Sequence, residues 1–181
     1  MRDIKDILDH WRPFADNLLT AYINFSLLKY ISKSNNNSTA TNIDPWLEII
    51  LRDHLIIQIY AIVIDTASDR KKYSLSLKNL ANDYTVNGTI PDLNPIYVDM
   101  SDSLESLKLI RNKMIAHVDF RDSSVSKYFA EANKKLTIDF FDELFSKIFN
   151  ILEKVIGKDF CIAIIKSADK IVEVEGNKTK L

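Results

Sequence analysis

Residues 109–120 read LIRNKMIAHVDF, an apolar run interrupted by an arginine and, six positions later, by one of the chain's three histidines. An arginine carries a permanent charge on a planar fork of donors, which suits phosphate or carboxylate oxygens. A histidine titrates near neutrality, so it can take or give a proton at ordinary pH. Together they suit a reaction in which anionic charge builds while a proton moves. Asn112 follows the arginine directly, with amide groups that can orient a neighbour. Lys113 stands four residues before His117 and so on the same helical face.

On a helical wheel of about 100° per residue, Arg111 falls among Met100, Leu104, Leu107, Met114 and Val118, with Ile115 beside them. An unpaired guanidinium buried there would cost several kcal/mol. Arg111 therefore needs a carboxylate partner, a groove, or a subunit interface. His117 lies about 120° around the same wheel, beside Ile110 and Ser106. A structural reading pairs Arg111 with an acid such as Asp65 and leaves His117 as a satisfied surface residue. A chemical reading requires a helix distortion near 114–116, or the convergence of groups from two copies of the chain.

Composition removes other chemistries. A net charge of −1 gives no polybasic surface, so any nucleic-acid contact must rest on a local patch. The single cysteine, Cys161, allows no internal disulfide and no cysteine metal cluster, and it reads as a core residue of a protein in the reducing cytoplasm. No glycine-rich phosphate loop and no serine nucleophile elbow occurs. Asp99, Asp102 and Glu105 suit the positive end of a helix better than a metal ion. His10 has no neighbouring ligand set, and His54 shares a stripe with Ile50, Ile57 and Ala61 that marks it as a core histidine. No metal and no cofactor is expected. The N-terminus has no apolar leader and no run is long enough to span a bilayer, so no membrane partner is expected.

The elements that must position the pair are helical. Three glycines and four prolines are too few for the turns of an all-β chain of 181 residues. Ile7, Trp11, Phe14, Leu18, Ala21, Phe25 and Leu28 alternate spacings of four and three, which predicts a first helix over 3–32, with a kink or a start at Pro13. The polar stretch 32–44 reads as a loop. Residues 45–69 form a second helix, capped by Asp44, whose centre is apolar nearly all round and is expected to be the most buried. A short helix over 75–83 begins after Ser74. The motif helix spans about 99–120, and a fourth covers 138–155, ended by Gly157. A last short helix covers 160–172. The fold expected is all-α, an up-and-down bundle of four principal helices plus short ones in a single domain over 1–172, with a flexible tail at 173–181.

The phrase RNKMIAH matches the pattern of the HEPN superfamily, an arginine and a histidine separated by four to six residues, often with an asparagine directly after the arginine. The wider phrase LKLIRNKMIAHVDF, followed by RDSS, is similar to the phage abortive-infection branch of that family. The resemblance implies a HEPN-like bundle and a metal-independent endoribonuclease, a toxin or phage-defence effector that cleaves RNA through 2′-hydroxyl attack. Arg111, His117 and Asn112 are then the catalytic set, and Lys113, Lys108 and Arg121 the RNA-binding cations. It also implies a homodimer with both motifs lining one cleft, and a possible protein antitoxin. An alternative within the family is a non-catalytic module that binds RNA, nucleotide, or a partner such as a nucleotidyltransferase antitoxin. The plainest alternative is a bundle dimer with no site.

Overall fold

The computed structural model describes residues 4–36, 45–64, 76–83, 91–112, 130 and 134–178. The described residues are all-α, with no strand among them. Helix α1 is Ile4–Asn36, α2 is Pro45–Ile59, and a π-helical turn, Tyr60–Ile64, continues α2 without a break. Short helices α3 (Leu77–Asp83) and α4 (Asn94–Tyr97) precede α5 (Ser101–Ile110). Two long helices close the chain, α6 (Ile138–Val155) and α7 (Lys158–Lys178). Helix α1 packs against α2, α6 and α7, and α6 also packs on α7. Helices α3 and α5 pack on the π-helical turn, and α4 bridges α5 and α6.

The stripe read along α1 is the stripe that the fold buries. Trp11, Phe14, Leu18, Ala21, Phe25 and Leu28 are all 4% exposed or less. Pro13 lies inside α1 on its exposed side, and the helix runs through it without ending. Facing this stripe, α6 carries four phenylalanines. Phe25 stacks on Phe145 at 5.1 Å between ring centres, and Tyr22 meets Phe145 and Phe149 edge-on, each at 5.2 Å. Such pairs add about 0.5–1.5 kcal/mol each beyond the area they bury. Burial raises the Tyr22 hydroxyl above its ordinary range, with Asp169 and Asp142 adding to the effect.

The ends of α6 fall where local chemistry sets them. Thr137 Oγ1 accepts the Phe140 amide proton at 3.2 Å as the N-cap. At the other end Gly157 takes φ of 122°, and its N–H reaches the Leu152 carbonyl at 3.2 Å. A side chain there would meet nothing within 4 Å, so the need for glycine is purely one of backbone.

Three expectations change. Helix α2 is two-faced rather than buried all round. Leu51, Leu55, Ile56 and Ile59 are inside, but Ile50 is 50% and Ile57 40% exposed. His54 lies on that outer face and is exposed, so it is no core histidine. The last helix is a principal element, because Cys161, Ile164 and Ala168 recur at helical spacing and are buried, on a helix that packs against α1. It continues through Lys178, across the stretch read as tail, since adding a turn to an existing helix costs little. Ser76, not Ser74, stands at the start of α3, where its hydroxyl accepts the Asn79 amide. The motif helix is described to Asn112, and its expected remainder lies outside the described residues.

Replacing Phe25 with Ala removes the ring at the centre of the α1–α6 contact and is expected to cost about 3–5 kcal/mol. Thr137→Ala should cost about 1 kcal/mol and Gly157→Ala about 1–3 kcal/mol. Urea unfolding followed by circular dichroism measures all three, and equal losses would refute the distinction between core, cap and strained turn.

Candidate functional site

Helix α5 presents the arginine by ending beneath it. Its buried arc is Leu104, Ser106, Leu107 and Ile110. Ser106 joins that arc because its hydroxyl donates to the Asp102 carbonyl at 2.9 Å, satisfying itself within the helix. The arc is rotated toward Ile110, so Arg111 stands at its margin and not at its middle. There the Arg111 amide is shared between the Leu107 and Lys108 carbonyls, and 111–112 turn with π-helical geometry.

The Arg111 side chain is half-buried, and its guanidinium lies over the Tyr60 ring at 4.6 Å from the centroid. An aromatic face compensates part of the lost hydration without using any N–H donor. Nη1 donates to Asn112 Oδ1 at 3.0 Å. Among the described residues no carboxylate pairs with Arg111. Among the described residues the fork thus spends one donor, on Asn112, and the others meet no acceptor. Asp65, the acid that a structural ion pair would call on, lies outside the described residues, as do His117, Lys113 and Arg121.

Tyr60 belongs to the π-helical turn, and that turn is itself tied down. The Tyr97 hydroxyl donates to the Val63 carbonyl at 2.7 Å, linking α4 to the turn. Burial pushes the Tyr97 hydroxyl well above its ordinary range, so it stays a donor. On the other side, Asn24 of α1 donates to Gln58 Oε1 at 2.9 Å, two residues before the π-helical segment. Such turns recur at functional positions because they re-aim a side chain without breaking the helix.

The π-helical turn, α3, α4 and α5 enclose a groove of about 260 Å³ lined by Ile64, Lys78, Tyr97, Ser101, Leu104, Glu105 and Lys108; Arg111 is not part of its lining. Lys108 bonds Glu105 at 3.5 Å on an exposed surface, a pairing that a phosphate can displace cheaply. A larger, mostly apolar hollow at the α6–α7 turn is lined by Ile156, Phe160, Ala163 and Ile164, with Lys158, Asp159 and Ser167 at its polar edge. Among the described residues no cluster of His, Cys, Asp and Glu could hold a metal ion. Cys161 is buried with its thiol aimed at the Phe149 carbonyl, and burial pushes it up to about 11, which removes it as a nucleophile. Among the described residues no helix is long and apolar enough to cross a membrane.

The structure brings Arg111, Asn112 and Lys108 to one end of α5. Tyr60 and Tyr97 are the members that the sequence did not disclose. The one available signal was that Tyr60 carries a hydroxyl in the otherwise aliphatic run YAIVI. Compared with known proteins, the chain matches no family model, no curated protein and no solved structure.

Arg111→Met keeps an apolar stem on Tyr60 and should cost less than about 1 kcal/mol, because no ion pair among the described residues is lost. Tyr97→Phe strands the Val63 carbonyl and should cost about 1 kcal/mol. Denaturant unfolding measures both, and a loss of 3–5 kcal/mol for Arg111→Met would reveal a buried acid partner.

Proposed function

We propose that this chain is a metal-independent endoribonuclease of the HEPN type, acting as a homodimer in the cytoplasm as a toxin or phage-defence effector. What supports the reading is the state of Arg111: a guanidinium fixed on an aromatic face, one donor spent on Asn112, and no carboxylate among the described residues. A purely structural arginine would spend its fork on an acid. A phosphate-binding arginine keeps it for the substrate.

In the proposed reaction the RNA 2′-oxygen attacks the adjacent phosphorus as its proton passes to a neutral imidazole. The P–O5′ bond breaks as the departing 5′ oxygen takes a proton. The products are a 2′,3′-cyclic phosphate and a 5′-hydroxyl, and no water, metal or redox partner is consumed. His117 is the proton-transfer group, and the second copy supplies a second imidazole for the opposite duty. Arg111 holds the pentacoordinate phosphorus, whose extra negative charge is where forked donors act most strongly. Asn112 sets the angle of that fork through its Oδ1, leaving its amide hydrogens for a phosphate oxygen. Lys108 draws the backbone toward α5, with Lys113 and Arg121 assigned the same task. A protein antitoxin would act by covering this end of α5.

Purified protein incubated with RNA in excess EDTA should yield fragments ending in cyclic phosphate. Arg111→Ala and His117→Ala should each slow cleavage by about 10²–10⁴-fold. Arg111→Lys should recover only part of the loss, because an ammonium neither forks nor stacks in the same way. Intact RNA from the wild type, or undiminished cleavage by His117→Ala, contradicts the reading. RNA that is bound through Arg111 but left uncut would assign a non-catalytic binding module instead.

A further inference from the structure

The groove between the π-helical turn, α3, α4 and α5 adjoins the arginine along both elements that carry the site. On α5 it is lined by Ser101, Leu104, Glu105 and Lys108. At about 100° per residue these four fall within roughly 100° of arc, and Arg111 and Asn112 continue that stripe by one turn. The π-helical turn contributes Ile64, which stands four residues after Tyr60, close to one full turn of such a helix. One turn along either element therefore leads out of the groove and onto the Tyr60–Arg111 stack. From Lys108 to Arg111 the rise is about 4.5 Å at 1.5 Å per residue. A strand whose phosphate rests on Arg111 brings its neighbouring nucleotide to the mouth of the groove.

The lining holds three kinds of group. Ile64, Leu104 and the Tyr97 ring offer apolar and aromatic surface, and Tyr97 is fixed by its hydroxyl bond to the Val63 carbonyl. Lys78 from α3 and Lys108 from α5 are cations that can only donate. Glu105 is a carboxylate that can only accept. Apolar surface, cations and an acceptor match the parts of a nucleotide: the flat base, its phosphate, and the N–H edge of the base. The volume lies just under the ~300–1,000 Å³ of ordinary small-molecule sites, so it admits one base and excludes a duplex. The base must then be unpaired, as in single-stranded RNA, where sequence is read by stacking and by hydrogen bonds to base edges. Guanine is the base whose Watson–Crick edge offers two adjacent N–H donors to one carboxylate. Adenine and cytosine set an acceptor nitrogen beside their amino group, and uracil sets its N–H between two carbonyls. The present bond of Glu105, to Lys108 at 3.5 Å, is a solvent-exposed pair that such an edge can displace.

We infer that this groove is the subsite for the base next to the phosphodiester on Arg111, that Glu105 makes it prefer guanine, and that Lys78 takes the phosphate beyond. The inference rests on the proposed ribonuclease reading and adds a sequence preference to it.

The test uses the full-length chain and 2′-O-methyl oligouridines with a single central G, A, C or U, which bind but cannot be cut. Fluorescence anisotropy should show the G oligonucleotide binding about tenfold more tightly than the other three. Glu105→Ala should bring that preference below about twofold without weakening the other three, since it removes a negative charge. Ser101→Trp, at the exposed start of α5, should fill the groove and abolish the preference with the helical circular dichroism retained. Lys78→Glu should weaken all four by about tenfold, as the loss of a phosphate contact does, and Lys166→Glu on the exposed side of α7 by less than about twofold. Equal binding of the four oligonucleotides would overturn the inference, as would a guanine preference that survives Glu105→Ala or Ser101→Trp. So would GMP that binds as tightly as the G oligonucleotide, which would assign the groove to a free nucleotide. The two readings fail separately. RNA cut without regard to guanine removes the subsite and leaves the nuclease, whereas guanine-selective binding of RNA that stays intact does the reverse.

Discussion

A guanidinium that leaves water must find compensation, and in this chain Arg111 finds it in a ring. Among the described residues, the Tyr60 face at 4.6 Å is what meets the guanidinium, where a carboxylate usually meets a half-buried arginine. The difference matters because a carboxylate fills the donor fork and cancels its charge, whereas a ring does neither. Among the described residues only Asn112 accepts from the Arg111 fork. The ends of α2 and α5 are arranged around that contact: each helix loosens from α to π geometry where the two side chains must meet.

The scaffold beneath the contact is stiff for reasons unrelated to chemistry. The α1–α6 aromatic layer and the aliphatic inner face of α2 fix the path of α2 up to its last turn. Tyr97 then pins the π-helical turn through the Val63 carbonyl, and Asn24 holds Gln58 just before it. The ring that carries the arginine is thus anchored from two sides by part-buried polar contacts, which favour one geometry over its neighbours. Stability resides in the core layer, while the surface by α5 retains exposed cations with weak partners.

Some of this was legible in the residues alone. The alternation of four and three along α1 has one helical solution, and it is the stripe the fold buries. Helix α6 announced its C-terminal end in Gly157, which takes a backbone angle other residues avoid, whereas the Thr137 cap came only with the structure. Helix α2 concealed its two faces because leucine and isoleucine occur all round it, and a uniform pattern carries no phase. That is why His54 was assigned to the core when it stands on the outer face. The ring beneath Arg111 was not readable either. Tyr60 lies on a different helix, and only packing decides which aromatic an arginine meets. Helix α7 was underestimated because its apolar stripe stops before the helix does.

The central claim is that Arg111 keeps its fork for a phosphodiester. The most direct measurement is the guanidinium Nε–H resonance of Arg111, assigned by its loss in Arg111→Lys, during titration with a 2′-O-methyl oligoribonucleotide that can bind but cannot react. The account predicts a saturable shift of that resonance, with weaker binding in Tyr60→Leu, where the platform is gone. A resonance that stays in place at saturating oligonucleotide would contradict it and return Arg111 to the scaffold.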